Sequence, residues 1–120
     1  MPVALAPVPV DSADPFLYHK TTHRYFYRSV LDRYPYCGDV LFVNERGEVT
    51  EGANHNVVVR LDGELVTPPQ TAGLLPGTFR AELLARGEIR ERDITPVDLA
   101  RAEEFWLINS VRKWRRAKLQ

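Results

Sequence analysis

The sequence has few of the features that mark several large classes of protein. Its 120 residues include one cysteine, Cys37, so no internal disulfide is possible and nothing requires an oxidising compartment. No apolar run approaches the ~20 residues that span a bilayer, and the first ten residues carry no charge. The 16 basic and 16 acidic residues cancel, which gives no overall attraction to a polyanion. These absences predict a cytoplasmic protein with no membrane, nucleic-acid or metal partner.

Lysine is also scarce, because arginine supplies most of the positive charge. The lysines are Lys20, Lys113 and Lys118, and only Lys20 lies far from the C-terminus. It is preceded by His19 and followed by two threonines. A lysine amine that is partly desolvated or near other cations loses its proton more readily and can form a Schiff base. Lys20 is therefore a candidate nucleophile, and the alternative is an ordinary surface lysine.

What is present predicts one globular domain with two unstructured ends. A hydrophobic content of 44% is enough for a core. Residues 1–15 contain four prolines and predict an extended linker or N-terminal arm. Residues 16–114 form the predicted domain, and residues 115–120 end a basic segment expected to be a solvated tail. A phosphate-binding tail is the alternative for that segment.

Local patterns predict a mixed α/β (α+β) arrangement with hairpins in its middle, which fits neither a doubly wound parallel sheet nor a sandwich. Asp62-Gly63 is a strong hairpin turn signal, and Gly87 is expected to end a helix. The predicted helices are a segment within residues 19–34 that begins near Thr21, residues 78–85 and residues 96–102. The predicted strands are residues 39–44, one beginning at 49–50, 56–61, 65–67, 88–94 and 105–108.

Two further segments carry candidate chemistry. Glu51 lies between a short strand and a Gly-Ala-Asn loop, where its carboxylate either protrudes at a strand end or simply lines a turn in solvent. Pro76-Gly77-Thr78 opens a predicted helix whose first N–H groups would form an anion site. A lysine, a carboxylate and a phosphate-sized anion site are the three groups that pyridoxal 5′-phosphate (PLP) needs.

Four motifs in order resemble the C-terminal domain of class IV (fold-type IV) PLP-dependent enzymes. They are residues 19–24 (HKTTHR), 44–52 (NERGEVTEG), 74–80 (LLPGTFR) and 107–112 (LINSVR). The resemblance is strongest to the 4-amino-4-deoxychorismate lyase-like domain fused behind aminodeoxychorismate synthase component I. It implies a D-amino acid aminotransferase-like fold, a mixed sheet or pseudo-barrel with flanking helices.

The same resemblance implies roles for seven residues. Lys20 matches the Schiff-base lysine, and Glu51 matches the carboxylate that keeps the pyridine nitrogen protonated. Thr78 and Phe79 match phosphate donors, and Ser110 matches a hydroxyl beside the phosphate. The remaining two matches are Tyr25, near the phenolic oxygen of the cofactor, and Asn56, a supporting position behind the glutamate.

The implied function is PLP-dependent lyase chemistry that releases pyruvate and gives the folate precursor 4-aminobenzoate. An aminotransferase acting on amino acids is the alternative reaction. A non-catalytic module that dimerises or docks on a synthase subunit is the alternative class, because the N-terminal domain usual in the family has no room in 120 residues. We expect a small-molecule substrate and a homodimer, with that domain or a chorismate-binding synthase subunit as a further partner.

Overall fold

The computed structural model describes residues 1–14 and 24–120. These residues form eight strands and three α-helices. The strands are β1 (Pro2–Leu5), β2 (Asp39–Val43), β3 (Val49–Gly52), β4 (Asn56–Leu61), β5 (Glu64–Thr67), β6 (Arg90–Glu91), β7 (Glu104–Asn109) and β8 (Lys113–Leu119). The helices are α1 (Arg24–Leu31), α2 (Thr78–Ala85) and α3 (Pro96–Arg101), and a 3₁₀ turn covers Gln70–Ala72.

The strands form one curled, mixed sheet in the order β3-β2-β1-β8-β7-β4-β5-β6. Strand β1 is parallel to both of its neighbours, β2 and β8. Strands β8, β7, β4 and β5 are antiparallel in succession, and β6 adds a short parallel edge. The predicted mixed α/β fold with a pseudo-barrel sheet is confirmed.

Period-two alternation along the strands separates an inner core from two clusters beneath helices. Val57 and Val59 on β4 belong to the inner core, which also contains Val3, Leu41, Val49, Leu61, Val66, Ile94, Leu99, Phe105 and Leu107. Val58, between them, lies on the other face and packs with Phe79 and Leu83 of α2. Because successive strand residues point to opposite faces, one buried strand supports both layers.

Most connections follow local turn chemistry. Asp62 and Gly63 both adopt positive φ, at 52° and 78°, which gives the tight β4–β5 hairpin predicted from the sequence. Thr95 caps α3 through a reciprocal capping box with Asp98, and Pro96 occupies the first turn. Helix α2 has the predicted bounds, and Gly87 follows it at φ 74°.

Both predicted loose ends are corrected by the structure. Residues 2–5 are not part of an irregular linker but form β1, where Val3 is fully buried. Residues 113–119 are not a solvated tail but form β8, which pairs with β7 and β1. Each of the two segments has a neighbouring strand on both sides, and these strands satisfy its backbone hydrogen-bonding groups. This non-local pairing outweighs the tendency of proline and charge to disfavour strands.

Two predicted elements are shorter than expected. The strand expected over residues 88–94 is limited to Arg90–Glu91, at the edge of the sheet. The first helix covers Arg24–Leu31, and its expected start near Thr21 lies outside the described residues. Within the described ranges, no helix combines the length and the hydropathy needed to cross a membrane.

Candidate functional site

A cleft of about 270 Å³ lies where three segments of the chain meet. Its walls are the β3–β4 turn, the segment from Leu75 into α2, and the end of β7 with the turn that follows. Five of the seven residues singled out from the sequence line it: Glu51, Asn56, Thr78, Phe79 and Ser110. The fold thus collects residues that lie up to 59 positions apart in the chain (110 − 51).

Glu51 is the buried carboxylate of the cleft. It lies near the end of β3 and is only 8% exposed, which excludes the alternative of a solvated turn residue. Its Oε2 accepts a hydrogen bond from the backbone N–H of Leu75 at 3.1 Å. That bond ties β3 to the segment that leads into α2. A carboxylate held in this way can receive a proton-bearing nitrogen of a ligand.

Asn56 fixes the approach to α2 from the other side. Its Nδ2 donates to the carbonyl of Leu75 at 3.0 Å, and its Oδ1 accepts from the N–H of Gly77 at 3.1 Å. Helix α2 itself has no side-chain cap. The first N–H groups of a helix have no acceptor within it, so the amides of Thr78 and Phe79 begin α2 as potential anion donors at the cleft wall.

The third wall is held in place by Asn109. Its Nδ2 donates to the carbonyl of Asn54 at 3.0 Å, which joins this wall to the β3–β4 turn. Its Oδ1 accepts from the N–H groups of Val111 and Arg112, which shapes the turn that follows β7. Ser110 lies within that turn and lines the same cleft as the start of α2, on a segment that the Asn109 side chain holds in place.

Two of the seven predicted residues are not brought to this cleft by the described structure. Lys20 lies outside the described residues, as do its neighbours His19, Thr21 and Thr22. Tyr25 is described and is 85% exposed on α1, away from the cleft lining. The helical period explains this placement, because Tyr27 and Val30 form the buried face of α1 and Tyr25 lies on the other face.

Tyr27 is the buried tyrosine of α1, and the sequence reading missed it. Its ring stacks on Phe42 with centroids 3.9 Å apart. Burial raises the pKa of the Tyr27 hydroxyl, and the carboxylates of Glu51 and Asp14 raise it further. The phenol therefore stays protonated at physiological pH. The spacing of apolar residues on α1 is the signal that separates Tyr27 from Tyr25.

The sequence reading also missed two cationic or titratable residues at the cleft. His55 is 7% exposed and bonds Asp39 through Nδ1 at 2.6 Å. Arg80 is 4% exposed, and its Nη2 donates to the carbonyl of Pro68 and to Glu91. The sequence does contain a signal for Arg80, because it follows Pro76 by four residues and therefore lies in the first turn of the predicted helix α2. The pairing of His55 with Asp39 has no local signal.

The cleft thus combines a buried carboxylate on β3, the first backbone amides of α2 and a serine on its third wall. A model of the family described as amino-transferase class IV matches residues 1–119. The chain belongs to this family, whose members are PLP-dependent enzymes. The resemblance and the cofactor class inferred from the four motifs are confirmed.

Individual relatives carry two kinds of name. A Schizosaccharomyces pombe protein, provisionally named an aminodeoxychorismate lyase, is 36% identical over 107 residues, which cover 83% of this chain and 46% of that protein. The crystal structure of a Mesorhizobium loti protein, provisionally named an amino-acid aminotransferase, is 39% identical with a TM-score of 0.92, and the match covers 99% of this chain and 59% of that one. The Pseudomonas aeruginosa 4-amino-4-deoxychorismate lyase structure is 26% identical with a TM-score of 0.82, covering 99% of this chain and 47% of that one. The chain thus spans about half the length of these relatives.

Proposed function

We propose that this chain is the cofactor-carrying domain of a PLP-dependent lyase that releases pyruvate from aminodeoxychorismate and leaves 4-aminobenzoate. The observation that carries the proposal is the cleft, which buried Glu51 and the start of α2 line together, with no side-chain cap on α2 among the described residues. The named lyases from S. pombe and P. aeruginosa support the choice of reaction.

The cleft fits the cofactor on the evidence of its own packing. A Cβ at Gly77 would lie 2.6 Å from Oδ1 of Asn56, so only glycine keeps the backbone this close to the strand. The resulting approach leaves the amides of Thr78 and Phe79, with the hydroxyls of Thr78 and Ser110, to hold a phosphate. Glu51 would hold the ring nitrogen, and Asn56 would keep the phosphate wall in position.

Bound PLP supplies a positively charged ring that withdraws electrons from the substrate carbon. Glu51 serves that chemistry by keeping a negative charge beside the ring nitrogen in a site with little access to water, where the interaction is stronger than in solvent. Lys20 is proposed as the residue that binds the cofactor covalently and then carries a proton to and from the substrate, the role that an amine with a free electron pair can fill and a guanidinium cannot.

Cofactor uptake tests the proposal directly. The purified chain would be mixed with PLP, reduced with borohydride, and analysed by intact mass and peptide mapping. We expect a covalent adduct on Lys20 in the wild type and none in Lys20→Ala. Lys113→Ala is the matched control and should keep the adduct. Equal labelling of wild type and Lys20→Ala would contradict the proposal.

The reaction is tested separately, because the chain spans about half the length of its relatives. Pyruvate release from aminodeoxychorismate would be followed with and without a full-length relative's N-terminal domain added in trans. We expect release only when that domain is added. Exchange of amino groups between amino acids and keto acids, without pyruvate release, would instead favour the aminotransferase alternative that the M. loti protein suggests.

A binding module without turnover is the second candidate. It predicts an adduct on Lys20 with neither reaction, and association with a synthase subunit or a second copy.

We propose a homodimer as the resting state, because the side chains of Tyr36 and Val111 are 85% and 82% exposed. Light scattering that gives a monomer at high protein concentration would contradict the dimer.

A further inference from the structure

A carboxylate–histidine pair that the proposed function does not use joins β2 to the β3–β4 turn. Asp39 on β2 is fully buried and accepts four hydrogen bonds from nitrogen donors. Three come from the backbone N–H groups of Val40, Ala53 and Asn54, at 2.7, 2.8 and 3.1 Å. The fourth partner is Nδ1 of His55 at 2.6 Å. Asp39 therefore holds the whole turn from Ala53 to His55.

This arrangement assigns the two ring nitrogens of His55. Because the other contacts of Asp39 are all N–H groups, its oxygens act as acceptors, and Nδ1 of His55 is the donor. The ring is thus fixed in orientation and in the position of one proton. Because Nδ1 is held by the Asp39 carboxylate, only Nε2 is left to interact with another group.

The remaining nitrogen, Nε2, is buried and has no hydrogen-bond partner among the described residues. The His55 side chain is 4% exposed, and the residue lines the same cleft as Glu51 and Thr78. A buried polar atom without a partner is costly, so such atoms are normally satisfied by a ligand or by water. Its neighbours Asn54 and Asn56 bond directly to the two walls that form the proposed phosphate site.

We propose that His55 is an anion-binding residue of the cleft, in which Asp39 holds Nδ1 and Nε2 donates a hydrogen bond to a phosphate or carboxylate oxygen of the bound molecule. The inference rests on the proposed function, since it names a further contact in the same site. Donation from Nε2 requires a proton on that nitrogen in the bound state. Within residues 1–14 and 24–120, the charged groups that line the cleft around His55 are Glu51 on β3 and Arg80 on α2, whose guanidinium is paired with Glu91.

Two amide variants separate ligand binding from a purely structural role. His55→Asn can keep a donor near the position of Nδ1 and so preserve the bond to Asp39, but it has nothing at the position of Nε2. His55→Gln can place its amide nitrogen near the position of Nε2, but it leaves Asp39 short of one donor. We expect His55→Asn to melt close to the wild type and to bind PLP about tenfold more weakly, the loss expected for one hydrogen bond to a charged group. His55→Gln should retain more PLP affinity than His55→Asn.

The reverse order would overturn the inference. If His55 only holds the turn, His55→Asn should bind PLP like the wild type and His55→Gln should be the weaker binder. Val97→Ala, at an exposed position of α3 outside the cleft lining, is the control and should leave affinity unchanged.

A spectroscopic readout on the wild type does not depend on whether the variants fold. With ¹⁵N-labelled histidine, addition of inorganic phosphate should shift the Nε2 resonance of His55 to that of a protonated nitrogen that donates a hydrogen bond, while the Nδ1 resonance stays in place. A change with phosphate and PLP identifies the phosphate as the anion. A change only with 4-aminobenzoate identifies the anion as the carboxylate that this product keeps from the substrate. No change with phosphate, PLP or 4-aminobenzoate overturns the inference.

The two proposals fail in different ways. Labelling of Lys20 by PLP with an unchanged Nε2 signal would leave the proposed function standing and reject the role of His55. A phosphate-dependent change at Nε2 without any labelling of Lys20 would reject the proposed function and keep His55 as an anion-binding residue.

Discussion

Gly52 occupies a position where any side chain would collide with the carboxylate that organises the cleft. A Cβ at this glycine would lie 2.4 Å from Oδ2 of Asp39 and 2.8 Å from its Cγ. Asp39 cannot easily move away, because its four hydrogen bonds hold the turn between β3 and β4. The glycine is therefore required by close approach and not by an unusual φ angle.

We expect Gly52→Ala to lower the free energy of unfolding by roughly 1–3 kcal/mol, the usual cost of overpacking a filled interior. Urea denaturation followed by circular dichroism measures this change, with Asn54→Ala, an exposed change in the same turn, as the control. A wild-type midpoint for Gly52→Ala would show that Asp39 has freedom that its hydrogen bonds do not suggest.

Glu45 is a surface residue whose titration reports on the N-terminal segment. The backbone N–H and the hydroxyl of Ser12 donate to its two carboxylate oxygens, each at 2.7 Å. These bonds lower the pKa of Glu45 from 4.5 to about 2. Because the folded-state pKa lies below the unfolded value, the stabilisation is complete above pH 4.5 and is lost as the pH falls from 4.5 to about 2.

We therefore expect wild type and Glu45→Gln to differ most in unfolding free energy above pH 4.5 and to converge towards pH 2. Urea titrations at several pH values across this window measure the difference, and comparison with Glu45→Gln removes the effect of the other carboxyl groups. A constant difference over the window would contradict the assignment of the Ser12 contact to the ionised carboxylate.

At the level of single residues, sequence motifs located the groups with local signatures. Glu51 stands in a strand-end motif, and Thr78 follows Pro76-Gly77 at a helix start, so both were predicted and both line the cleft. His55 was missed because its partner Asp39 lies 16 positions earlier on another strand. No pattern within the turn reveals a hydrogen bond that only the sheet creates.

Among the elements, α3 shows how much a short helix depends on its ends. It has only six residues, so few intrahelical bonds hold it together. The side chain of Thr95 accepts from the N–H of Asp98 at 3.1 Å, and Asp98 accepts from the N–H of Thr95 at 3.0 Å. The backbone hydrogen bond from Thr95, together with the Thr95 hydroxyl, lowers the pKa of the Asp98 carboxyl.

We expect Thr95→Ala to reduce the free energy of unfolding by about 1 kcal/mol, the typical value of an N-cap side chain. Thr95→Ser keeps the capping oxygen and should lie close to the wild type. Thermal and urea unfolding of the three proteins measure the differences. Equal losses in both variants would assign the effect to the methyl group of Thr95 and not to the cap.

Elements were predictable where the signal is contained within them. Helix α2 has proline and glycine before it and glycine after it, and its bounds agree with the prediction. Strands β1 and β8 were not predicted from the sequence. Prolines lie in and around β1, and β8 is rich in charged residues, and both compositions are typical of unstructured chain ends. Their strand character comes from pairing with each other and with β2 and β7, which no short window of sequence contains.

For the whole molecule, the pairing of its two ends is the feature with the largest consequence. Strand β1 near the N-terminus and β8 near the C-terminus lie side by side in the middle of the sheet. Backbone bonds from Lys118 to Met1 and from Gln120 to Val3 join them, at 2.9 and 3.0 Å. Without this pair the sheet would divide into β3-β2 and β7-β4-β5-β6. The terminal segments are therefore part of the cooperative unit, although chain ends normally fray.

Amide hydrogen exchange measures whether the terminal strands are as protected as the core strands, whereas chain ends normally exchange faster. We expect the amides of β1 and β8 that are bonded within the sheet to exchange only through global unfolding, as slowly as those of β4 and β7. The edge strand β6, with two exposed residues, should exchange much faster and serves as the internal control. Removal of residues 113–120 should abolish the cooperative unfolding transition rather than merely lower its midpoint, because β1 then keeps only β2 as a neighbour and the inner core loses its contacts with Ala117 and Leu119. Rapid exchange in β8 together with a cooperative transition in the truncated chain would show that the two halves of the sheet fold without the paired ends.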